Sequence, residues 1–266
     1  MKRFFIPIIS LCLIAFTFTS CDPKEPEPEP EPKPKEEIFV SKTSQNRNVL
    51  FEEFTGIGCQ FCPNGHRITD SLATLYKGNC FHINVHAGKY AEGKTPDLTT
   101  TEGNELLQGF MDGSGYPTGL TNRFRWNTGS SNTFCMHPAY FPGLAIDVRN
   151  MTTYVNVAAK TTIEKSSGKL TCKVQAYYTN NPGTDTTKNL IHIAILQNNI
   201  KGPQSGGSKY PAMWDGTTYT HNHVLRTYIT GFSGEEIPVN KKDSLYSKTF
   251  TYTIPATLGL GNVNVV

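Results

Sequence analysis

The chain is expected to fold as an α/β unit followed by an all-β one, and three observations carry that expectation. The apolar residues Val49, Leu50, Phe51 and Phe54 run into Cys59-Gln60-Phe61-Cys62 and a helix start at Pro63. A proline, Pro117, stands between a helical pattern and the apolar pair Gly119-Leu120. From about Thr152 the sequence becomes a series of strand patterns separated by turn clusters.

Taken in order, residues 1–20 read as a lipoprotein signal peptide, and Cys21 is the residue that would be acylated. Lys2 and Arg3 form the basic start, residues 4–18 the apolar stretch, and Phe18 stands where such signals usually carry Leu. An ordinary secretory signal or an uncleaved anchor is the alternative, although the stretch falls short of the ~20 apolar residues of a spanning helix. Residues 21–37 alternate proline with glutamate and cannot build a core. At ~3 Å per residue they form a semi-rigid tether that would hold the following body roughly 50 Å from a bilayer.

The formal net charge is +3. Because the tether is acidic, residues 38–266 are weakly basic, but their lysines and arginines are scattered. No patch that could track phosphates is present, which argues against nucleic-acid binding.

The body is long for one domain and is expected to divide into an α/β domain over 38–150 and an antiparallel β-sandwich, Ig-like, over 151–266. In the first, residues 50–54 read as a strand covered on both faces. The helix after Pro63 places Ile68, Leu72, Leu75 and Tyr76 on one side. A second strand over 81–86 is followed by a loop over 87–97. In the second domain the strand patterns are 154–159, 170–178, 190–196, 223–229 and 247–254, with turns at 166–168 and 180–183; residues 262–266 begin another strand.

The chemistry concentrates at the dithiol. Pro63 suits a first helical turn, so Cys59 and Cys62 lie at or just before a helix N-terminus. There the dipole and free amides favour a thiolate, the attacking species in disulfide exchange. Zinc held by Cys59 and Cys62 with His66 or Cys80 is the alternative, but no second close Cys/His pair supports it. Of the seven cysteines, Cys80, Cys135 and Cys172 remain once Cys12, Cys21 and the dithiol are set aside. They read either as buried thiols or as containing one bridge, such as Cys135 to Cys172. His221 and His223 would share one strand face, as metal ligands can, yet without an acidic neighbour in sequence they read as ordinary strand residues. Residues 202–208 read as a mobile loop leading to Tyr210 and Trp214, a place for partner contact. No metal and no cofactor is assigned.

The strand, dithiol, helix and Pro117 together resemble the thioredoxin fold. The resemblance implies that Cys59 is the nucleophile and Cys62 the resolving thiol, and that Glu53 is the buried acid assisting proton transfer to Cys62. It further implies that Pro117 is a cis-proline facing the dithiol, with the backbone at Tyr116 free to pair with an extended peptide. Gly58 in place of the usual tryptophan and the long interval from Cys59 to Pro117 depart from the pattern. The whole chain resembles the Omp-twenty-eight-related outer-membrane lipoproteins of Gram-negative anaerobes. That likeness rests on the leader, on residues 54–63, on Gly115-Tyr116-Pro117-Thr118-Gly119 with Asn122-Arg123, and on residues 221–226.

Two functions follow from these resemblances. One is thiol–disulfide exchange on envelope proteins by a lipid-anchored outer-membrane protein, facing either the periplasm or the cell surface. The other is a non-enzymatic adhesin or assembly lipoprotein, binding glycans or host proteins, in which Cys59–Cys62 is only a structural bridge.

Overall fold

The computed structural model describes residues 37–113, 115–183 and 188–266. The expected leader, the expected lipidation site Cys21 and nearly all of the expected tether lie outside the described residues.

In chain order the first half forms β1 (Val49–Thr55), α1 (Cys62–Leu75), β2 (Cys80–His86), α2 (Thr101–Phe110), β3 (Thr118–Thr121), the short hairpin strands β4 (Trp126–Asn127) and β5 (Asn132–Thr133), β6 (Cys135–Met136) and α3 (Phe141–Arg149). β1 is buried along almost its whole length, as an interior strand covered on both faces should be. It pairs parallel to β2, with Val49 opposite Cys80 and Thr55 opposite His86, and antiparallel to β3, with Phe54 opposite Thr118. One face of this sheet carries Phe51, which stacks on Phe141 of α3 with ring centroids 4.5 Å apart, beside Leu72 of α1. The other face carries Phe54, Ile83, Val85 and Leu120, covered by Leu106 of α2. Pro63 lies in the first turn of α1 as expected. Ile68 and Tyr76 pack beside Leu72, but Leu75, the last residue of α1, is 68% exposed.

The second half forms β7 (Val155–Glu164), β8 (Lys169–Tyr178), β9 (Asn189–Ile191), β10 (Ala194–Gln197), β11 (Ile200–Gly202), β12 (Tyr219–His221), β13 (Val224–Tyr228), β14 (Glu235–Ile237), β15 (Leu245–Thr253) and β16 (Val263–Val265). The fold is therefore sheet-rich, with few helices and several sheets. It corrects the expectation of a self-contained sandwich over 151–266. Only β15, β8 and β7 make a purely antiparallel three-stranded sheet of the expected kind. Its central strand alternates, with Leu170, Cys172, Val174, Ala176 and Tyr178 buried. The hairpin β7–β8 turns at Gly168, whose φ of +70° suits glycine.

β10, β13 and β16 instead join the first half in one seven-stranded sheet of order β16-β10-β13-β2-β1-β3-β6. β13 docks parallel to the free edge of β2 with Val224 opposite Asn84, and β10 follows antiparallel. The physical reason lies in the side chains: Ala194, Ile195, Leu196, Val224 and Leu225 are all buried, so β10 and β13 need cover on both faces. The pattern over 190–196 accordingly breaks at His192 into β9 and β10, which serve different sheets. The segment before β1 also crosses the expected boundary. Asn156 of β7 donates to the carbonyls of Ser41 and Thr43, and Gln175 of β8 accepts from the Phe39 amide. Residues 38–266 thus form one compact unit, and the boundary expected at 150/151 divides the sequence without dividing the body.

Candidate functional site

The face of β1 and β2 that meets α1 changes character along its length. It starts apolar with Val49, Phe51 and Cys80, then presents Glu53 and Thr55 on β1 and His82, Asn84 and His86 on β2. The polar end lies where β1 delivers the chain into the dithiol loop.

Cys59 and Cys62 form a disulfide with Cα atoms 5.5 Å apart, and Cys62 is the first residue of α1. Both cysteines are buried, Cys59 being 3% exposed and Cys62 fully enclosed, whereas Phe61 between them is 63% exposed. Two segments pack against this loop. On one side Gly58 donates to the Tyr90 carbonyl at 2.9 Å, and a Cβ on Gly56 would fall 2.4 Å from the Tyr90 carbonyl carbon. Glycine at 56 is therefore a packing requirement, and the loop expected over 87–97 is the partner that imposes it.

On the other side lie residues 204–206 from the second half. Ser205 donates to the Ile57 carbonyl at 2.8 Å, and the Gln204 amide donates to the carbonyls of Gly56 at 3.1 Å and Cys59 at 2.9 Å. Gly206, at φ +72°, presses on Gln60, whose carbonyl oxygen a Cβ would meet at 2.2 Å. The segment read from sequence as a mobile loop is thus packed over the dithiol. Glycine and serine signal conformational freedom in a sequence, but here they permit close approach of two backbones.

Glu53 is fully buried beneath the first turn of α1. Its carboxylate occupies the space a side chain on Gly65 would need, and neither oxygen has a hydrogen-bond partner among the described residues. Burial, assisted by the charge of Asp70, pushes its pKa well above the ordinary carboxylate value. His66, one turn into α1, bridges Thr55 Oγ1 at 2.9 Å and the Tyr219 hydroxyl at 2.8 Å. Burial, with a contribution from His221, holds its pKa down at about 3, so it stays neutral.

The Tyr116–Pro117 peptide is cis, as expected, and Pro117 is buried immediately before β3. Because β3 pairs with β1, Pro117 arrives near the end of β1 from which the dithiol loop departs. The remaining thiols, Cys80, Cys135 and Cys172, are free and buried, so no Cys135–Cys172 bridge forms. Burial pushes the pKa of Cys80 up to about 11 and that of Cys135 to about 12, which leaves both protonated.

His221 ends β12 and His223, at φ +54°, lies in the junction before β13, and both rings reach the polar face of β2. His221 meets His86 edge-on at 5.4 Å, while His223 packs against His82 at 4.0 Å. Sequence reasoning missed His82, His86 and Asp70. The alternation of His82, Asn84 and His86 along a strand was the available signal, since polar residues at every second position of a buried strand define a polar buried face.

Comparison with known proteins defines the class as that of outer-membrane proteins. The family of outer membrane protein Omp28 matches residues 105–266, more than half of the chain. The chain belongs to that family. The matched stretch contains Pro117, His221 and His223 and begins after the dithiol. No curated protein matches. Among solved structures, HBP35 of Porphyromonas gingivalis is similar in fold, with a TM-score of 0.61 and 21% identity over 84% of this chain and 68% of that one. A structural-genomics target from Agrobacterium tumefaciens aligns with a TM-score of 0.48 and 14% identity over 81% of each chain. Among the described residues no helix is long and apolar enough to cross a membrane.

Proposed function

We propose that this chain is an envelope thiol–disulfide exchange protein, in which β2-β1-β3-β6 with α1, α2 and α3 is a thioredoxin-like half and Cys59–Cys62 is the redox centre. The observation that carries the reading is Glu53. A carboxyl group that is fully buried without a hydrogen-bond partner is costly to keep, and such groups recur where protons must be moved. Its place beneath the turn that begins with Cys62 suits proton transfer to and from that sulfur.

In the reducing direction the Cys59 thiolate attacks a substrate disulfide, forming a mixed disulfide and releasing one substrate thiol. Glu53 in its carboxylate form takes the proton from Cys62. The Cys62 thiolate then attacks the Cys59 sulfur, closes the internal disulfide and releases the second substrate thiol, so that two electrons pass to the substrate. In the oxidising direction the same steps run backwards. Pro117 would flank the approaching peptide, which pairs with the Tyr116 backbone, and the exposed Phe61 would contact it. Acylation of Cys21 and the tether of 21–37 would hold the body at the outer membrane, with envelope or surface proteins as substrates.

One observation favours the second reading, a binding or assembly lipoprotein for glycans or host proteins with a structural bridge: neither cysteine is exposed, and residues 204–206 are fastened to the dithiol loop. The full-length protein in detergent separates the two. A catalytic couple should equilibrate with glutathione at about −120 to −270 mV, whereas a structural bridge should lie below about −300 mV. Cys62→Ala should trap mixed disulfides with envelope proteins, and Cys59→Ala should abolish the trapping. A potential in the structural range with no trapped partner would retire the exchange reading. Metabolic labelling with palmitate tests the anchor, which fails if Cys21→Ala leaves labelling unchanged.

A further inference from the structure

We propose that Asp70, His82 and His223 form a binding site for a divalent transition-metal ion of the zinc class, separate from the dithiol. Three elements each contribute one ligand: α1 supplies Asp70, the following β2 supplies His82 and the β12–β13 junction, far along the chain, supplies His223. One ligand atom from each lies within 4.8 Å of the other two. Four-coordinate zinc holds nitrogen and oxygen ligands at about 2.0–2.2 Å, which places neighbouring ligand atoms roughly 3.3 Å apart. The Nε2 of His82 is 3.1 Å from Asp70 Oδ1, so part of that spacing already exists.

A simple hydrogen-bonded pair does not account for the arrangement. The His82 side chain is 2% exposed, and its Nε2, although near the carboxylate, lacks the alignment of a hydrogen bond. Its ring packs against His223 with centroids 4.0 Å apart, so two imidazoles and a carboxylate converge at one place. His223 is held there with an uncommon positive φ: its amide donates to Asn198 Oδ1 at 2.8 Å and its carbonyl accepts from the Asn84 amide at 2.8 Å. Its neighbour Asn222 is fastened by the Asn84 side chain, also at 2.8 Å.

Access is provided by Asp70 itself, whose side chain is 42% exposed and lines a surface groove with Arg67 and Ser71. A three-ligand site reached from solvent leaves a position for water or an exogenous ligand. The donor set of two imidazoles and one carboxylate is borderline in softness, which suits zinc, cobalt and nickel better than magnesium or calcium.

The test uses the full-length protein, untagged, with Cys59–Cys62 oxidised so that the dithiol cannot bind metal. Titration calorimetry with ZnCl2 should give one ion per chain with a Kd of about 1 μM or tighter, and Co2+ should develop a visible d–d absorption. Asp70→Asn, close to isosteric and partly exposed, should weaken zinc binding at least about tenfold, and His82→Ala with His223→Ala at least about a hundredfold. His137→Ala, an exposed histidine elsewhere, should change nothing. Absence of zinc binding up to millimolar concentration overturns the proposal. So does unchanged affinity in a folded Asp70→Asn protein, judged by its circular dichroism. Because the dithiol is closed throughout, failure here leaves the exchange reading untouched.

Discussion

Glu52 and Glu53 are neighbours on one strand, equally buried, and they face opposite sides of the same sheet. Glu52 is satisfied: Arg123 grips both its oxygens at 2.6 and 2.7 Å, and Tyr228 of β13 donates to it at 2.5 Å. Burial alone would raise its pKa, but the hydrogen bonds and charge of Arg123 outweigh burial and hold it below the ordinary value. Glu53 has no such partner among the described residues, and burial, assisted by the charge of Asp70, raises its pKa well above the ordinary value. Two residues of one type, buried to the same degree, thus have their pKa values moved in opposite directions by what faces them. The Glu52 side is a structural lock that ties β1 to β13 across the two halves of the chain. On the Glu53 side the acid lies beneath the first turn of α1, at Gly65, with no hydrogen-bond partner among the described residues.

The sharpest way to break this comparison is kinetic. Glu53→Gln should slow disulfide exchange near neutral pH by about a hundredfold, the range expected for loss of a positioned proton carrier. A stopped-flow assay of substrate reduction reads the effect. An unchanged rate would make Glu53 a packing residue.

Next in size is Arg123→Ala, which strands Glu52 as a buried, unpaired charge. It should cost about 3–5 kcal/mol of stability by chemical denaturation, and a loss below about 1 kcal/mol would contradict the lock. Glu52→Gln should recover part of that loss in the double variant, because the stranded charge is then removed.

The two acids should also bend the pH dependence of stability in opposite directions. Glu52, with a lowered folded-state pKa, contributes stability above the ordinary glutamate value that is lost as pH falls through its folded value. Glu53, with a raised folded-state pKa, contributes stability that is whole below the ordinary value and is lost as pH rises through its folded value. Unfolding free energies across the pH range should show Glu53→Gln flattening the decline on the alkaline side and Glu52→Gln flattening the acid side. Identical slopes in all three proteins would erase the distinction.

The smallest effect concerns the cover over the sulfurs. Gln204→Ala removes the two hydrogen bonds that fasten residues 204–206 to Gly56 and Cys59, worth about 1 kcal/mol each. Reduction of Cys59–Cys62 by dithiothreitol should accelerate by about tenfold if the segment must move before a thiol can reach the bridge. No acceleration would mean that the sulfurs are already reached by another route.

The sequence by itself determined what depends on local order: the strand–dithiol–helix unit, Pro63 in the first turn, Cys59 and Cys62 as a pair, the alternation that makes β8, and the turn at Gly168. The burial of Glu53 and the cis peptide before Pro117 were also expected, from the resemblance to a known pattern. The boundary near 150 misled, since composition records what a segment forms and not which edge it joins. The continuous apolar run of residues 193–196 was the sign that β10 needed cover on both faces. Only the tertiary structure decided that β13 would close the edge of β2, and that single pairing carries the consequences that matter here. It sets Tyr228 against Glu52 and His223 against His82, and the same half of the chain lays residues 204–206 over Cys59. Contacts between residues more than a hundred positions apart leave no periodicity in a single sequence, because they arise when complementary edges and faces meet in three dimensions.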